Sequence, residues 1–290
     1  MKKITILIPV YNDWESLTKL LKEIDEIVEE TKNLEFSCLV INDCSIVKMP
    51  KMLKPPSLKT LNIINMKKNK GHARCNAFGI RYINDHDTSD YVILMDGDGE
   101  DSPIEIKGLI NKISDFPDIS VVAKRIKRSE GIIFQAMYQI HKLITFLFTG
   151  KIINFGNYSC LTSKDLSILS NKASLWSSYS GTVKKHIKKF NEIDSIRGKR
   201  YFGPSKMSIF NLIIHSFSII AVFKYSVFIR SSFLIIFLSY LNNSIGVFSI
   251  FFQILIVVFN LMIFSVSFRE NEKDLVNSNN DYLDKIEITH

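Results

Sequence analysis

Residues 91–103 read YVILMDGDGEDSP, an apolar run that meets four carboxylates, Asp96, Asp98, Glu100 and Asp101, spaced by Gly97 and Gly99. In extended backbone alternate side chains point the same way, so Asp96, Asp98 and Glu100 are placed to converge. Converging carboxylates repel one another unless a cation joins them, and hard oxygen donors select Mg²⁺ or Mn²⁺. The glycines let a ligand approach the backbone closely. An EF-hand is excluded, because its loop needs Gly at the sixth place and Glu at the twelfth, where Asp101 and Lys107 stand. The plain alternative is a solvated turn. The chemical one is a divalent cation carrying a diphosphate.

The surrounding elements decide between them. Residues 4–10 (ITILIPV) predict a strand, and 14–30 place apolar residues at helical spacing. Strands are predicted at 36–43, 59–66, 91–96 and 119–124, with helices at 71–83 and 103–113. Such alternation implies an α/β domain with a mostly parallel central sheet and covering helices. Ligands of such sheets gather at the carboxyl ends of the strands. Three of those ends are polar: PVYND, INDCS and MDGDGED. No GxGxxG follows the first strand and no GxxxxGK[ST] occurs, which counts against a Rossmann dinucleotide site and a P-loop.

The chain has 290 residues and 37 Lys+Arg against 29 Asp+Glu, a formal charge of +8 that suits an anionic partner. Cys38, Cys44, Cys75 and Cys160 form no CxxC pair and read as free thiols. The N-terminal apolar run is too short for a signal peptide and lacks a small-residue cleavage site. Residues 244–268 carry no charge over more than the ~20 residues that cross a bilayer. Residues 225–241 are nearly as apolar but contain Arg230, which belongs at the membrane edge. Lys206, Lys224 and Arg269 flank the pair, which predicts a two-helix transmembrane hairpin with both outer ends in the cytoplasm. Residues 129–150 predict an amphipathic helix at the membrane interface, a core helix being the alternative. The basic stretch 184–206 reads as a solvated face that also favours anionic lipid. The expected order is a catalytic domain over 1–205, a juxtamembrane helix over 206–224, the hairpin over 225–268 and a cytoplasmic tail over 269–290.

ILIPVYND, LVINDCS, NKGHARCNAFGI and LMDGDGEDSP, in this order and spacing, resemble the family 2 glycosyltransferases of GT-A fold. AKRIKRSEG, FGNYSCLT, RYFGPSKMS and the apolar pair are similar to the polyprenyl-phosphate branch, which includes dolichol-phosphate mannose synthase and undecaprenyl-phosphate sugar transferases. The resemblance implies roles. Pro9, Tyr11 and Asp13 would line the nucleotide pocket, Asp13 standing where the family usually has Glu. Asp43 would bind base or ribose, with Gly71, His72 and Arg74 near the nucleotide and diphosphate. Asp96, Asp98 and Glu100 would hold Mg²⁺ or Mn²⁺, and Asp96 would also face the nucleotide. Arg125, Arg128 and Ser129 would face the lipid phosphate, Lys206 would mark the turn into the membrane, and Asp98, Arg125 and Arg128 would be the catalytic set. The implied partners are a nucleotide-sugar donor, a polyprenyl phosphate or other lipid-linked acceptor, and a membrane. No nucleic acid is implied, and oligomers stay open.

A sugar hydroxyl needs a base to take its proton; a phosphate monoester is already ionised. Asn157 stands where many relatives have Asp and cannot accept a proton, which fits a phosphate acceptor. Two rivals remain. A transferase acting on a hydroxyl would need Asp165 or Glu130 as base, and a membrane-anchored scaffold would need no chemistry at all. Tyr179, Ser180 and Gly181, following Trp176, are a candidate acceptor-side loop.

Overall fold

The computed structural model describes residues 1–31, 33–127, 132–204 and 209–289. Its strands are β1 (Lys2–Val10), β2 (Leu34–Asn42), β3 (Leu58–Met66), β4 (Tyr91–Leu94), β5 (Val121–Lys127), β6 (Phe155–Thr162), β7 (Asn191–Ile196) and β8 (Tyr282–Ile288). They form one sheet in the order β7-β5-β6-β4-β1-β2-β3-β8. The stretch β3-β2-β1-β4 is all parallel, with β1 register such as Ile6↔Cys38 and Ile6↔Ile93. β6 runs antiparallel to β4 and β5, and β7 is parallel to β5. The chain steps outward from β1 to β3, then returns to the other side of β1 as β4. The carboxyl ends of β1 and β4 thus flank a topological switch point, where open α/β sheets hold ligands.

Helices α1 (Trp14–Glu29), α2 (His72–His86) and α3 (Glu105–Asp115) cover the sheet. Trp14, Leu17, Leu20, Leu21, Ile24 and Val28 recur every three or four residues and are the buried stripe of α1. Alternation along β1 splits the core in two. Ile4, Ile6, Ile8 and Val10 pack with α1 and with Ile106 and Leu109 of α3. Leu7 faces the other side, with Cys75, Phe78 and Ile80 of α2. A Cβ at Gly79 would collide with the Leu7 side chain, so the glycine lets α2 lie close on β1 and brings its first turn to the switch point.

Helix α5 (Ser163–Ser170) and helix α6 (Tyr179–His186) pack on the α2 side. Tyr179, Ser180 and Gly181 begin α6 and are buried, and the Tyr179 hydroxyl is 2.6 Å from that of Ser159. The acceptor-side loop expected there is instead interior packing, because the Tyr179–Ser159 hydrogen bond and a helix start capped by Ser178 are buried in the core.

A second unit is purely helical: α4 (Ile132–Thr149), α7 (Ile209–Ala221), α8 (Lys224–Tyr240), the short α9 (Asn242–Ile245) and α10 (Val247–Ser267). Phe148, Ile220, Ala221, Val227 and Ile263 form its centre. The stretch Val247–Asn280 is long and apolar enough to cross a membrane, with mean hydropathy 2.6 in its best window. Helices α7 and α8 pass that test only as a pair, and they are bent by 88° against each other. A two-helix hairpin is therefore not established by length and composition. Arg230, expected at the membrane edge, donates to the Leu147 carbonyl at 3.3 Å, in the last turn of α4. That is where a cation meets the negative end of a helix.

Residues 269–290, expected as a plain tail, contain α11 (Glu272–Asn277) and β8. β8 adds antiparallel to the edge strand β3, with Ile63 opposite Ile286 and the apolar end of β8 buried at Ile288.

Candidate functional site

Pairing in β4 stops at Leu94, and the acidic residues after it do not continue the strand. Asp98 Oδ1 accepts the Glu100 N–H at 3.0 Å, and Gly99 takes a φ of +86°, so the backbone turns. Asp101 points inward, 4% exposed, and its Oδ2 accepts the Asp96 N–H at 2.9 Å. The convergence expected of Asp96, Asp98 and Glu100 does not form, because a turn rotates successive side chains that a strand would align. Among the described residues no three acidic, histidine or cysteine side chains make a ready cation shell.

Each carboxylate has its own partner. Asp96 Oδ1 lies 3.0 Å from His72 Nε2 and accepts from Asn157 Nδ2 at 3.3 Å. Asp98 Oδ2 accepts from Arg200 Nη1 at 2.6 Å, and the other arm of Arg200 binds Asp13. Glu100 is paired with Arg197. The segment that carries these arginines is tied down along its length. Gly198 N–H donates to the Glu100 carbonyl at 2.8 Å, and Tyr201 N–H to that of Asp98 at 3.0 Å. Glu105 accepts from Ser195 Oγ at 2.7 Å and from the Ile196 N–H at 2.9 Å.

Burial and mutual charge set the protonation here. Burial pulls the Asp96 carboxyl up, but His72 beside it, then Arg197 and Arg125, hold it far below the usual carboxylate range. Asp98 goes the other way, raised by burial and by the charge of Asp96 despite Arg200. Asp101 is pushed up to about 8 by burial and by Asp96, so it carries a proton at neutral pH. For His72, burial lowers the imidazole, but Asp96 outweighs it and the net shift is upward.

The remaining expected residues fall into two groups. Arg125 is brought to the cluster: its guanidinium packs against Gly156 and acts on both Asp96 and Asp101. Gly71, with φ +89° and nothing near its Cβ position, opens the first turn of α2 beside His72. Pro9, the last residue but one of β1, stands opposite Ile41, with its carbonyl close under Gly97. Asp43 and Arg74 stand further back. Asp43 is 3% exposed, and its two oxygens accept the N–H groups of Lys70 (2.6 Å) and Gly71 (2.9 Å). It therefore shapes the turn before α2 and offers no open carboxylate. Arg74 lays its guanidinium over the Trp176 ring, 5.6 Å from the centroid. Tyr11 is an exposed residue of the loop after β1. Arg128, Ser129, Glu130 and Lys206 lie outside the described residues.

Arg197 and Arg200 were not singled out by sequence reasoning from the other cations of 184–206, and neither was Asp101 from its acidic neighbours. Nothing in KRYFG marks which basic side chain turns inward. The one usable signal is Gly198 and Gly203 bracketing that segment, since glycine marks backbone that packs closely or bends.

A divalent cation fits the donors present. Asp96 and Asp98 offer hard oxygens, and a cation would relieve the part of the upward shift of Asp98 that comes, after burial, from the charge of Asp96. Glu100 is committed to Arg197, which leaves further coordination to ligand and water.

Residues 5–173 match the glycosyl transferase family 2. The fold is similar to that of glucosyl-3-phosphoglycerate synthase from Mycobacterium tuberculosis in complex with Mn²⁺, UDP-glucose and phosphoglyceric acid. That likeness has a TM-score of 0.51 and 12% identity over 78% of this chain and 80% of that one. Mannosyl-3-phosphoglycerate synthase from Rubrobacter xylanophilus gives 0.52 and 11% over 76% and 72%. S. aureus TarS (1–349) gives 0.47 and 13% over 84% and 72%. At these identities the structural likeness speaks for the fold alone. The family match takes in more than half of the 290 residues, with the acidic turn inside it, and on that ground the chain belongs to glycosyl transferase family 2.

Proposed function

We propose that this chain is a membrane-bound, metal-dependent, inverting glycosyltransferase that moves a sugar from a nucleoside diphosphate to a polyprenyl phosphate at the cytoplasmic leaflet. One juxtaposition carries the reading. A charged cluster of Asp13, Asp96, Asp98, His72 and Arg125 sits at the switch point, on a chain whose helical unit exposes apolar side chains outward.

Asp96 and Asp98 would hold Mg²⁺ or Mn²⁺, which when bound neutralises charge on the departing diphosphate. The other parts belong to the chain itself. The first turn of α2, held by Asp43 through Lys70 and Gly71, presents its amino end to the anionic donor. Arg125 offers a forked donor to the acceptor phosphate. An ionised phosphate oxygen attacks the anomeric carbon, a C–O bond forms there, and the bond to the diphosphate breaks with its electron pair. A single displacement of this kind inverts the carbon and calls for no base. Asn157 is itself a hydrogen-bond donor to Asp96. Asp165, with Glu130 a candidate base for a hydroxyl acceptor, lies at the opposite end of the strands, the amino end of β4. It follows Thr162, which pairs with the first residue of β4, and it accepts from Ser120 Oγ at 2.5 Å.

β8 also bears on the membrane reading. The chain leaves the sheet for the helical unit and returns to the same sheet as β8, so any crossings are even in number. If α10 crosses, α8 is the element that completes the pair, which supports the hairpin with both ends on the catalytic side. The test is a panel of nucleotide sugars with the full chain in vesicles, Mn²⁺ or Mg²⁺, and undecaprenyl phosphate. A glycolipid product is expected. Transfer only to a hydroxyl, or no transfer from any donor, would overturn the reading.

A further inference from the structure

We infer that the segment following the last apolar helix holds the walls of the donor pocket in place from outside, and that Asp281 is the positioning residue through which it acts. The inference rests on the donor reading above and adds to it a part of the chain, residues 279–284, that lies far outside the matched 5–173.

The turn that leads into α2 is held from both sides. From inside, Asp43 binds the Lys70 and Gly71 N–H groups. From outside, the C-terminal segment grips the same turn. The Lys67 N–H donates to the Asp281 carbonyl at 2.9 Å, Lys67 Nζ to the Asn280 carbonyl at 2.7 Å, and Lys70 Nζ to Asp281 Oδ2 at 2.6 Å. Lys70 is only 12% exposed in that pair. Its ammonium is therefore directed by Asp281 and lies beside the Trp176 ring, 6.0 Å from the centroid. Remove the carboxylate, and a mostly buried cation loses its partner in the residue before Gly71.

A second line of contacts runs along the carboxyl ends of the strands. Asp284 of β8 accepts from Asn65 Nδ2 at 2.6 Å, and Asn65 Oδ1 accepts from Asn42 Nδ2 at 2.7 Å. Asn42 Oδ1 accepts the Ser45 N–H at 3.1 Å, and Ser45 Oγ accepts the Asn12 N–H at 2.8 Å. The relay passes from β8 through β3 and β2 to the loop after β1. The tail thus reaches both walls of the pocket, the loop 11–13 and the turn 67–72, without entering the pocket itself. A tail tethered only as a leash would need none of these contacts.

The experiment uses the full chain in detergent or nanodiscs. Binding of UDP, GDP, CDP, ADP and dTDP, each with Mn²⁺, is measured by calorimetry on the wild type, and the tightest nucleotide is carried forward. Asp281→Ala is expected to weaken it about tenfold, the loss that accompanies a broken, mostly desolvated ion pair. Glu287→Ala, an exposed residue of β8, is expected to leave it unchanged. Lys70→Asp with Asp281→Lys, the reversed pair, is expected to recover most of the loss, as it must if the ion pair itself holds the turn. Asp281→Asn serves if the alanine variant is not recovered folded, with the same weakening expected. Unchanged binding in Asp281→Ala or Asp281→Asn, or a reversed pair that recovers nothing, overturns the inference while the donor reading stands. A wild type that binds none of the five nucleotides overturns both.

Discussion

The switch point and the helical unit treat the same residue types in opposite ways. Around β1 and β4 the apolar side chains are hidden, Ile6, Leu7, Ile93 and Leu94 at 0% exposure, and the charged ones are paired across elements far apart in sequence. In the helical unit large apolar side chains face out: Phe233 is 69% exposed, Phe248 71% and Leu261 63%. Soluble surfaces rarely carry a contiguous apolar face of that extent, because leaving it in water is costly. On the proposed reading, one chain serves two surroundings. The proposed reaction needs both, a water-borne anionic donor and an acceptor whose tail is apolar.

The sharpest way to break this comparison is to remove a charge at the switch point. Asp98→Ala is expected to cut transfer at least about a hundredfold, as loss of a group facing developing charge does in other enzymes, with circular dichroism and membrane association unchanged. Full glycolipid formation by the wild type in EDTA would remove the metal from the account. Next comes Arg200, whose guanidinium bridges Asp13 and Asp98. Arg200→Ala leaves two mostly buried carboxylates facing each other and is expected to cost roughly 2–4 kcal/mol in the metal-free protein. Mn²⁺ is then expected to raise the melting temperature more in the variant than in the wild type. An equal rise would mean that the arginine and the cation do not compete for Asp98.

Smaller and more selective is Arg125→Ala. It is expected to raise the KM for lipid acceptor about tenfold, near 1.4 kcal/mol, with donor binding unaltered. Lost donor affinity would move Arg125 from the acceptor side to the diphosphate side. The helical unit has its own counterpart. Replacing Phe248, Val258 and Leu261 together with Gln is expected to let carbonate strip part of the protein from vesicles; full retention would mean those side chains do not face lipid.

Much of the catalytic half was legible in sequence because its signals are local. Strand and helix periods in 1–125 imply a mostly parallel sheet whose strand ends carry PVYND and MDGDGED, whereas the β3-β2-β1-β4 order and its switch point are set by packing. The acidic cluster was legible in kind but not in shape. Period-two alternation fails once Gly99 takes φ +86°, and sequence spacing does not say that a DGDGE run turns where it does. The partners of those carboxylates were beyond sequence reasoning. Arg200 is 187 residues from Asp13, and contacts over such separations depend on packing alone. β8 escaped notice for a similar reason. YLDKIEI alternates weakly, and its edge-strand role exists only because β3 leaves an edge open to it.

The smallest effect expected is also the one that reads the cluster without substrate. Asp101 in the folded protein titrates near 8 against 3.8 for a free side chain. The folded state therefore keeps a proton that the unfolded chain gives up above about pH 4. Stability from this group is fully present below that point and falls as pH rises toward 8, by no more than about 1.4 kcal/mol per unit for one proton. Asp98, also raised, has the same sign, whereas Asp96, held low, contributes stability that is lost only in strong acid. The melting temperature of the metal-free protein should thus decline from pH 6 to pH 8, and Asp101→Asn, which cannot lose a proton, should flatten the decline. Added Mn²⁺ should flatten it too, since a cation on Asp96 screens the charge that raises its neighbours. A wild type and an Asp101→Asn protein with the same slope would mean that Asp101 is not protonated at neutral pH, and the cluster would then be held by its arginines alone.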